Sequence, residues 1–349
     1  MTFDVAVIGG GLVGTATAYE LGRAGLTTVL YDRADAGRAT DAGAGILSPE
    51  TAKRDDPVWT ELVRAAGRHY GALLPDLPGD TGWARCGILQ LATRDSDVPP
   101  WEWVAEHATG AREISADDAR AMCPVLGDIK RALHHPGAAR VDGRLICAAM
   151  RRAALAHGVE VREESVDDVR GVDARAVVIA GGAWTPRVAQ QLDVFLPVGP
   201  VRGQIMHLDV PEYDTSTWPI VQPVLAHYMV PWADNRVAVG ATVEDVGFTV
   251  EVTAGGLQEI LREALRVMPG LATGRLREVR VGLRPWSRDD LPILGPLPGH
   301  DNVHVATGHG ANGLLLGPIS GKLVADAVRG VQPDVTLTPF SAARFAEST

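Results

Sequence analysis

The chain has 349 residues, of which 46% are hydrophobic and 22% charged, a composition typical of globular proteins and unlike that of disordered or fibrous ones. This length exceeds what one ordinary core usually organises, so we expect one large or two interleaved domains. The formal net charge is −10, and no run is rich in Lys or Arg, which argues against a nucleic-acid partner.

The three cysteines lie far apart without a CxxC pair, which argues against a disulfide framework and a structural zinc site. Residues 1–4 lead into an apolar strand without a basic leader, and no stretch approaches eighteen consecutive apolar residues. We therefore expect a soluble, cytoplasmic protein without a membrane span. The sequence leaves the oligomeric state open.

The first residues form a compact strand-helix-strand pattern. A β-branched run from Asp4 to Ile8 predicts a buried parallel strand, and helical spacing follows from Leu12 to Ala24. Gly25 ends that helix, and residues 28–31 predict a second strand. Together they predict a βαβ unit from Val5 to Asp32.

Within this unit, residues 9–14 read GGGLVG, a GxGxxG motif between a strand and a helix. Gly9 permits a tight turn, Gly11 lets backbone approach a pyrophosphate, and Gly14 lets helix and strand pack closely. Asp32, at the end of the second strand, would accept hydrogen bonds from ribose hydroxyls. The motif predicts a dinucleotide site, and NAD(P) is the alternative to FAD; a plain turn with a strand-capping Asp32 is the structural alternative.

The segment from Gly37 to Gly45 is too glycine-rich for a stable strand or helix, so we expect backbone that lies close to a ligand. A loop without a ligand is the other interpretation.

Farther along, the pattern predicts two regions that alternate along the chain. Strand and helix patterns at 144–157, 176–180, 303–306 and 314–328 continue the α/β layer, whereas residues 57–136 and 196–283 mix strands with amphipathic helices. After residue 333 we expect a tail. The fold class is therefore α/β, with a discontinuous Rossmann-like domain (1–52, 137–190 and 290–345) and a second α+β domain (53–136 and 191–289) on a mostly antiparallel sheet.

The order of the motifs resembles the D-amino-acid oxidase (DAO) family of flavoproteins, and within it most of all the bacterial glycine oxidase and small amino acid oxidase branch. The segments that carry the resemblance are 4–33, 37–46 (GRATDAGAGI), 180–184 (AGGAW), 200–204 (PVRGQ), 282–285 (GLRP) and 308–313 (GHGANG). It implies FAD in an extended pose, with the active site between the flavin ring and the second domain.

The resemblance also assigns cofactor contacts to individual residues. The βαβ motif (Gly9, Gly11, Leu12, Val13, Gly14) binds FAD, with Asp32 and Arg33 at the adenosine ribose and Val166 at the adenine end; Ala39 and Thr40 lie near the pyrophosphate, Ala44, Gly45 and Ile46 along the flavin, and Gly181 where the sheet approaches the cofactor.

The loop before the last helix completes this set. A helix N-terminus and its free N–H groups stabilise negative charge, which suits an anionic reduced flavin. The residues concerned are His309, Gly310, Ala311, Asn312, Gly313 and Leu314. A plain strand-to-helix loop, with His309 hydrogen-bonded for structure, is the alternative.

For the substrate, the resemblance places Arg284 at the position of the family's bidentate carboxylate anchor, a task that suits a guanidinium fork. Taken alone, an arginine near a strand end more often forms a surface salt bridge. Tyr228 matches a tyrosine that supports the same carboxylate or lines the mouth of the pocket, and a buried core tyrosine is the alternative.

Two departures from the family pattern matter. Glycine oxidase-like members have a second arginine where this chain has Ala311, so we expect a lighter carboxylate clamp and room for a larger substrate side chain. Sarcosine oxidase-like members attach flavin to a cysteine at a position that falls near Gly282 here. Because no cysteine is near, we expect noncovalent FAD.

The resemblance thus implies an enzyme that oxidises the Cα–N bond of an amino acid (a D-amino acid, glycine or an N-alkylglycine) to an imine and then a 2-oxo acid. Oxygen or another carrier would reoxidise the flavin. An NAD(P)-dependent dehydrogenase, and a flavoprotein subunit or modifier acting on another substrate class, are the alternative functions.

Overall fold

The computed structural model describes residues 2–52, 54 and 56–345. The strands are Phe3–Ile8 (β1), Thr28–Tyr31 (β2), Ile46–Leu47 (β3), Ala84–Arg85 (β4), Ile88–Ala92 (β5), Arg112–Ile114 (β6), Arg131–His135 (β7), Ala139–Arg140 (β8), Glu160–Arg162 (β9), Ala174–Ile179 (β10), Val198–Asp209 (β11), Ile220–Pro223 (β12), Tyr228–Trp232 (β13), Arg236–Gly240 (β14), Arg275–Ser287 (β15), Ile293–Leu297 (β16) and His300–Thr307 (β17). The α-helices are Leu12–Arg23 (α1), Ala39–Ala42 (α2), Pro57–Leu73 (α3), Val98–His107 (α4), Ala116–Met122 (α5), Gly143–Ala156 (α6), Thr185–Ala189 (α7), Ala254–Val267 (α8) and Gly313–Val328 (α9).

A six-stranded sheet, in the order β16-β17-β10-β1-β2-β9, forms the α/β layer. The five strands from β17 to β9 run parallel, and β16 pairs antiparallel with β17. The buried parts of the central strands, residues 5–8 of β1 and 177–179 of β10, are apolar, as expected for a parallel sheet that is covered on both faces. Since the strands are parallel, their carboxyl ends lie along one edge, where dinucleotides bind in such folds.

A second sheet of eight strands has the order β15-β11-β14-β13-β12-β5-β7-β6. Its pairings are antiparallel except for β12 with β5. A small sheet, β3-β8-β4, accompanies it. The predicted fold class is confirmed.

The largest core cluster packs the helices α1, α3, α6 and α9 on the six-stranded sheet. Helix α3 begins at an Asp56 cap whose carboxylate accepts from the Val58 and Trp59 N–H groups. Its buried side chains, including Trp59, Leu62 and Tyr70, lie in this cluster although we assigned residues 53–136 to the other region. The assignment of residues 53–136, which include this helix, to the second domain therefore stays a proposal.

The expectation of a tail after residue 333 is wrong up to residue 345. Two 3₁₀ turns, Thr338–Phe340 and Ala342–Phe345, close against the sheet. Phe340 is fully buried, and Arg344 makes a two-nitrogen ion pair with Asp289. Val335 and Ala342 are buried as well, so apolar contacts and one paired guanidinium dock a segment that has no periodic pattern of its own.

Among the helices of the described residues, none combines the length and the apolar character needed to cross a bilayer.

Candidate functional site

A cavity of about 530 Å³ runs along the carboxyl edge of the six-stranded sheet. The segments at the carboxyl ends of the five parallel strands all line it, at residues 9–13, 31–33 and 35, 164–167, 180–184, and 306–307 with 309–315. The opposite wall comes from β11, β12, β13 and β15 of the eight-stranded sheet. One wall of the cavity is thus formed by chain segments at the ends of parallel strands, and the other by the face of a mostly antiparallel sheet.

Nearly all of the predicted site residues line this cavity. They are Gly9, Gly11, Leu12, Val13, Asp32, Arg33, Ala39, Thr40, Ala44, Gly45, Ile46, Val166, Gly181, Tyr228, Arg284, His309, Gly310, Ala311, Asn312, Gly313 and Leu314. Gly14 is not among them. A Cβ at Gly14 would overlap the carbonyl oxygen of Gly9 and lie 3.2 Å from the Ala180 side chain, so its part is close packing between helix and strand.

The turn between β1 and α1 places backbone N–H groups at the cavity. Gly9 has φ +112°, and a Cβ there would lie 2.5 Å from the carbonyl oxygen of Ala180, so only glycine fits. The N-cap residue Gly11 offers no side-chain cap to α1. The hydroxyl of Thr40 instead accepts from the Leu12 N–H at 3.0 Å, across 28 residues. The positive end of α1 therefore faces the cavity with several N–H groups outside the helix ladder.

Asp32 lies at the end of β2 and is 5% exposed. Its Oδ2 accepts from Arg38 Nη1 at 2.6 Å, and its Oδ1 accepts from the Ala34 N–H at 3.2 Å. Arg38 also pairs with Asp41. Arg33 turns to Asp35 at 2.8 Å and is half exposed. Asp32 is thus held in place at the cavity wall by Arg38, a partner that the sequence interpretation left unassigned.

The segment 37–45 does contain a helix, contrary to the sequence expectation: the single turn α2. Gly45 then has φ +82°, and its carbonyl accepts from the Val141 N–H at 2.9 Å. A Cβ at Gly45 would overlap the Val141 carbonyl oxygen. Gly37 and Gly45 thus flank a single helical turn, and strand β3 begins at Ile46.

The loop before α9 brings His309 against the helix it precedes. His309 is 4% exposed, its Nε2 lies 2.9 Å from Ser320 Oγ, and burial lowers its pKa to about 4. The imidazole is therefore neutral and bound within the protein. Gly308 and Gly310 both have positive φ, and Trp286 covers Gly310. Asn312, the N-cap of α9, provides no side-chain cap, so this helix start also faces the cavity with open N–H groups.

The opposite wall is one face of the eight-stranded sheet. Arg284 pairs with Val201 across β15 and β11, and Gly203 lies two residues farther on the same face. Tyr228 pairs with Gly240 across β13 and β14, and Gly240 pairs with Ile205. Because alternate residues share a face, Arg284, Gly203 and Tyr228 project to the same side.

The guanidinium of Arg284 lies flat over Gly203: a Cβ at 203 would be 2.6 Å from both Cζ and Nη1. Its Nη1 donates to the carbonyls of Thr242 at 3.0 Å and Arg202 at 3.3 Å. Burial raises the pKa of Tyr228, and a hydrogen bond with Arg284 opposes that rise. Tyr228 therefore keeps its proton, and the pair offers a fixed cation beside a neutral hydroxyl.

Sequence interpretation missed the residues that hold Arg284. Gly203 and Arg202 lie on β11 and Thr242 lies two residues after β14, and the pairing of β11 with β14 and β15 brings them to Arg284. The motif PVRGQ marked Gly203 without indicating its part. Gln222 and Trp184 also line the cavity.

The model of the DAO family, described as FAD dependent oxidoreductase, matches residues 4–327. The glycine oxidase of Pseudomonas aeruginosa is 31% identical over 98% of this chain and 99% of its own.

Two solved structures share the whole fold. The iminodiacetate oxidase of Chelativorans sp. BNC1 superposes with a TM-score of 0.91, is 37% identical, and matches 97% of this chain and 98% of its own. The glycine oxidase of Geobacillus kaustophilus superposes with a TM-score of 0.90 at 29% identity, over 98% of both chains.

Proposed function

We propose, since this chain belongs to the DAO family of FAD-dependent oxidoreductases, that it oxidises the Cα–N bond of a small amino acid of the glycine or N-alkylglycine type. The names of its relatives, glycine oxidase and iminodiacetate oxidase, support this substrate class. The observation that carries the proposal is the Arg284–Tyr228 pair on the wall opposite the dinucleotide edge.

FAD is the cofactor of this family, and the cavity residues fit it. The starts of α1 and α9 lack side-chain caps and face the cavity, which suits the pyrophosphate and the electron-rich edge of a flavin. A Cβ at Gly11 would reach only Thr40, so the backbone at Gly11 is open to the cavity. We propose that these helix starts and Asp32 hold FAD. None of the three cysteines lines the cavity, which supports noncovalent binding.

When bound, FAD supplies the acceptor for a hydride that leaves the substrate Cα. The chain supplies orientation. Arg284 would bind the substrate carboxylate through its Nη2 side, because Nη1 already donates to two backbone carbonyls. The Tyr228 hydroxyl beside it would donate to the same carboxylate. With the carboxylate fixed, the substituents of Cα can rotate only about the bond between Cα and the carboxylate carbon. Restricting the substrate in this way lowers the barrier.

The substrate amine must be neutral when the hydride leaves, since its lone pair assists C–H cleavage. His309, which lines the cavity, is a poor base for this proton, because burial lowers its pKa to about 4 and its Nε2 is hydrogen-bonded to Ser320. Deprotonation therefore falls to solvent, and we expect kcat/KM to rise with pH towards the pKa of the free amine.

The experiment is reduction of the enzyme-bound flavin without oxygen, with glycine, N-methylglycine, iminodiacetate and both enantiomers of alanine and proline. Arg284→Ala should lower kcat/KM by roughly 30- to 4,000-fold, the equivalent of about 2–5 kcal/mol for an unpaired carboxylate. Arg288→Ala, at an exposed position four residues away, is the matched control and should retain wild-type kinetics. Equal rates in Arg284→Ala and wild type would refute the proposal.

The same panel, repeated in air with an oxygen electrode and then with a dye, distinguishes dioxygen from another electron acceptor. We propose a cytoplasmic location.

A further inference from the structure

The segment from Val243 to Val252 links β14 to α8 beside the cavity, and its two ends are held in different ways from its middle. Residues 245–247 are exposed, and the Phe248 ring contacts the cavity wall that follows β10, at 5.5 Å from the Trp184 ring and 3.9 Å from the Arg187 guanidinium. The first end, by contrast, is bound to β11 through Glu244. The Glu244 carboxylate also binds two residues whose carbonyls accept hydrogen bonds from Arg284.

Glu244 accepts hydrogen bonds on both oxygens. Its Oε2 pairs with Arg202 Nη2 at 2.5 Å; its Oε1 accepts from Thr242 Oγ1 at 2.6 Å and from Gln204 Nε2 at 2.8 Å. The backbones of Glu244 and Arg202 also exchange two N–H···O bonds, at 2.9 and 3.0 Å. The Glu244 carboxylate thus binds the side chains of both Arg202 and Thr242, and the Glu244 backbone binds that of Arg202.

Arg202 and Thr242 are the two residues whose carbonyls hold Arg284 Nη1. The Arg202 side chain is 4% exposed, so its charge depends on Glu244 for compensation within the protein. With its other face against Gly203, the Arg284 fork has no freedom left as long as these carbonyls stay in place.

We propose that Glu244 is a positioning residue for the substrate carboxylate: it holds the carbonyls of Arg202 and Thr242, and through them the direction of the Arg284 fork. The inference rests on the proposed function, in which Arg284 binds that carboxylate. Although burial alone would raise it, hydrogen bonds from Arg202, Gln204 and Thr242 lower the pKa of Glu244 to about 2, so the carboxylate keeps its charge throughout an assay range.

Glu244 does not line the cavity, so its effect should appear in carboxylate affinity rather than as a general loss. Propionate is a suitable probe because it has the shape of glycine and no amine to oxidise. Propionamide, equally large and neutral, is its counterpart. Both are titrated into the FAD-loaded enzyme, and binding is followed by the change in flavin absorbance.

Glu244→Ala should weaken propionate binding by about tenfold and leave propionamide binding within twofold of wild type. Glu244→Gln, which retains the size and one acceptor, should weaken propionate about threefold. Glu251 lies in the same segment and has an exposed side chain; it contacts Arg202 only through its backbone carbonyl. The control variant Glu251→Gln should therefore bind both probes as wild type does.

A double-mutant cycle makes the link to Arg284 explicit. In an Arg284→Ala background, Glu244→Ala should have no further effect on propionate, since the fork that it directs is gone. Equal weakening of propionate and propionamide, or an additive effect in the cycle, would show a merely structural role and overturn the inference. Should Glu244→Ala not fold, Glu244→Gln and Thr242→Val carry the same comparison.

The two proposals fail in different ways. Unchanged propionate affinity in Glu244→Ala, with a collapse in Arg284→Ala, overturns the positioning role and leaves the proposed function in place. Unchanged affinity in Arg284→Ala itself refutes the proposed function.

Discussion

The cofactor end and the substrate end of the cavity differ in what lines them, backbone at the first and side chains at the second. The cofactor end consists of backbone at the carboxyl ends of parallel strands, where glycines clear space and helix starts present N–H groups. The substrate end consists of side chains on a sheet face, where Arg284 depends on Gly203 and Arg202 of β11 and on Thr242, which follows β14. A backbone site is encoded by short local motifs, whereas a side-chain site is encoded by strand register.

The largest effect should come from filling the backbone end. Gly45→Ala adds a Cβ that overlaps the Val141 carbonyl oxygen at φ +82°, next to the residues expected along the flavin. We expect apoprotein, with a free energy of unfolding lower by about 3 kcal/mol or more from clash and backbone strain together. Flavin content and urea unfolding measure it.

Gly25→Ala is the matched control for that change. Gly25 has φ +86° but nothing within 4 Å of the added Cβ, so it isolates the cost of the backbone conformation at about 1 kcal/mol. Full flavin content in Gly45→Ala would contradict the view that backbone clearance forms this end.

The next effect concerns Asp32, a buried carboxylate at the cofactor end. Asp32→Ala should raise the FAD dissociation constant by roughly 10- to 150-fold, since a hydrogen bond to a charged acceptor contributes about 1.5–3 kcal/mol. Asp41→Ala is the control, because Asp41 also pairs with Arg38 but does not line the cavity. If both variants lose FAD equally, Asp32 acts only by holding Arg38.

The contrast between the two ends explains what could be predicted from the sequence. The βαβ unit, the α/β fold and the FAD family follow from Gly9 to Asp32 and from the order of later motifs, because those signals are local and periodic. The salt bridge between Asp32 and Arg38, the cap that Thr40 gives to α1, and the support of Arg284 depend on contacts across 6, 28 and 42 to 82 residues. No pattern of spacing encodes such contacts.

Helix α3 illustrates the same limit. Its amphipathic pattern correctly predicted a helix but not which layer its apolar face would cover. The short helix α2 shows the converse, since Gly37 and Gly45 flank the turn instead of lying within it, and composition over the whole segment concealed this.

Both regions should contribute to the pH dependence of stability through a buried histidine. Burial, assisted by Arg280 and Arg236, lowers the pKa of His207 in the eight-stranded sheet to about 3, and burial lowers that of His309 at the cofactor end to about 4. Both are neutral when folded, whereas the unfolded chain binds protons near pH 6.5. Stability therefore falls as pH falls from about 6.5 to 4, by about 1.4 kcal/mol per pH unit for each histidine.

Urea unfolding of FAD-free protein at pH 7.5, 6 and 5 tests this. His207→Gln should reduce the slope by about one proton and leave flavin binding alone, whereas His309→Gln should change both. Below about pH 4.5 protonation of Glu244 and Glu278, whose pKa values of about 2 are held down by their arginine partners, removes further stability. An identical slope in His207→Gln and wild type would contradict the assignment.

The smallest effect is expected where the two regions meet. Ala311 belongs to the cofactor-end loop, yet it is exposed to the cavity, and glycine oxidase-like relatives are expected to have an arginine there. A second guanidinium would add positive charge near the carboxylate and fill space beside it. Ala311→Arg should therefore favour glycine over larger neutral amino acids by about tenfold relative to wild type, equivalent to about 1.4 kcal/mol.

The measurement is kcat/KM for glycine, alanine and N-ethylglycine, with Ala343→Arg, an exposed position on the last 3₁₀ turn, as the control. Because the substitution leaves Arg284 and its supporting carbonyls in place, all substrates should keep measurable turnover. If wild type already prefers glycine to every larger substrate, the wider pocket inferred from Ala311 is wrong, and selectivity is set by the sheet face alone.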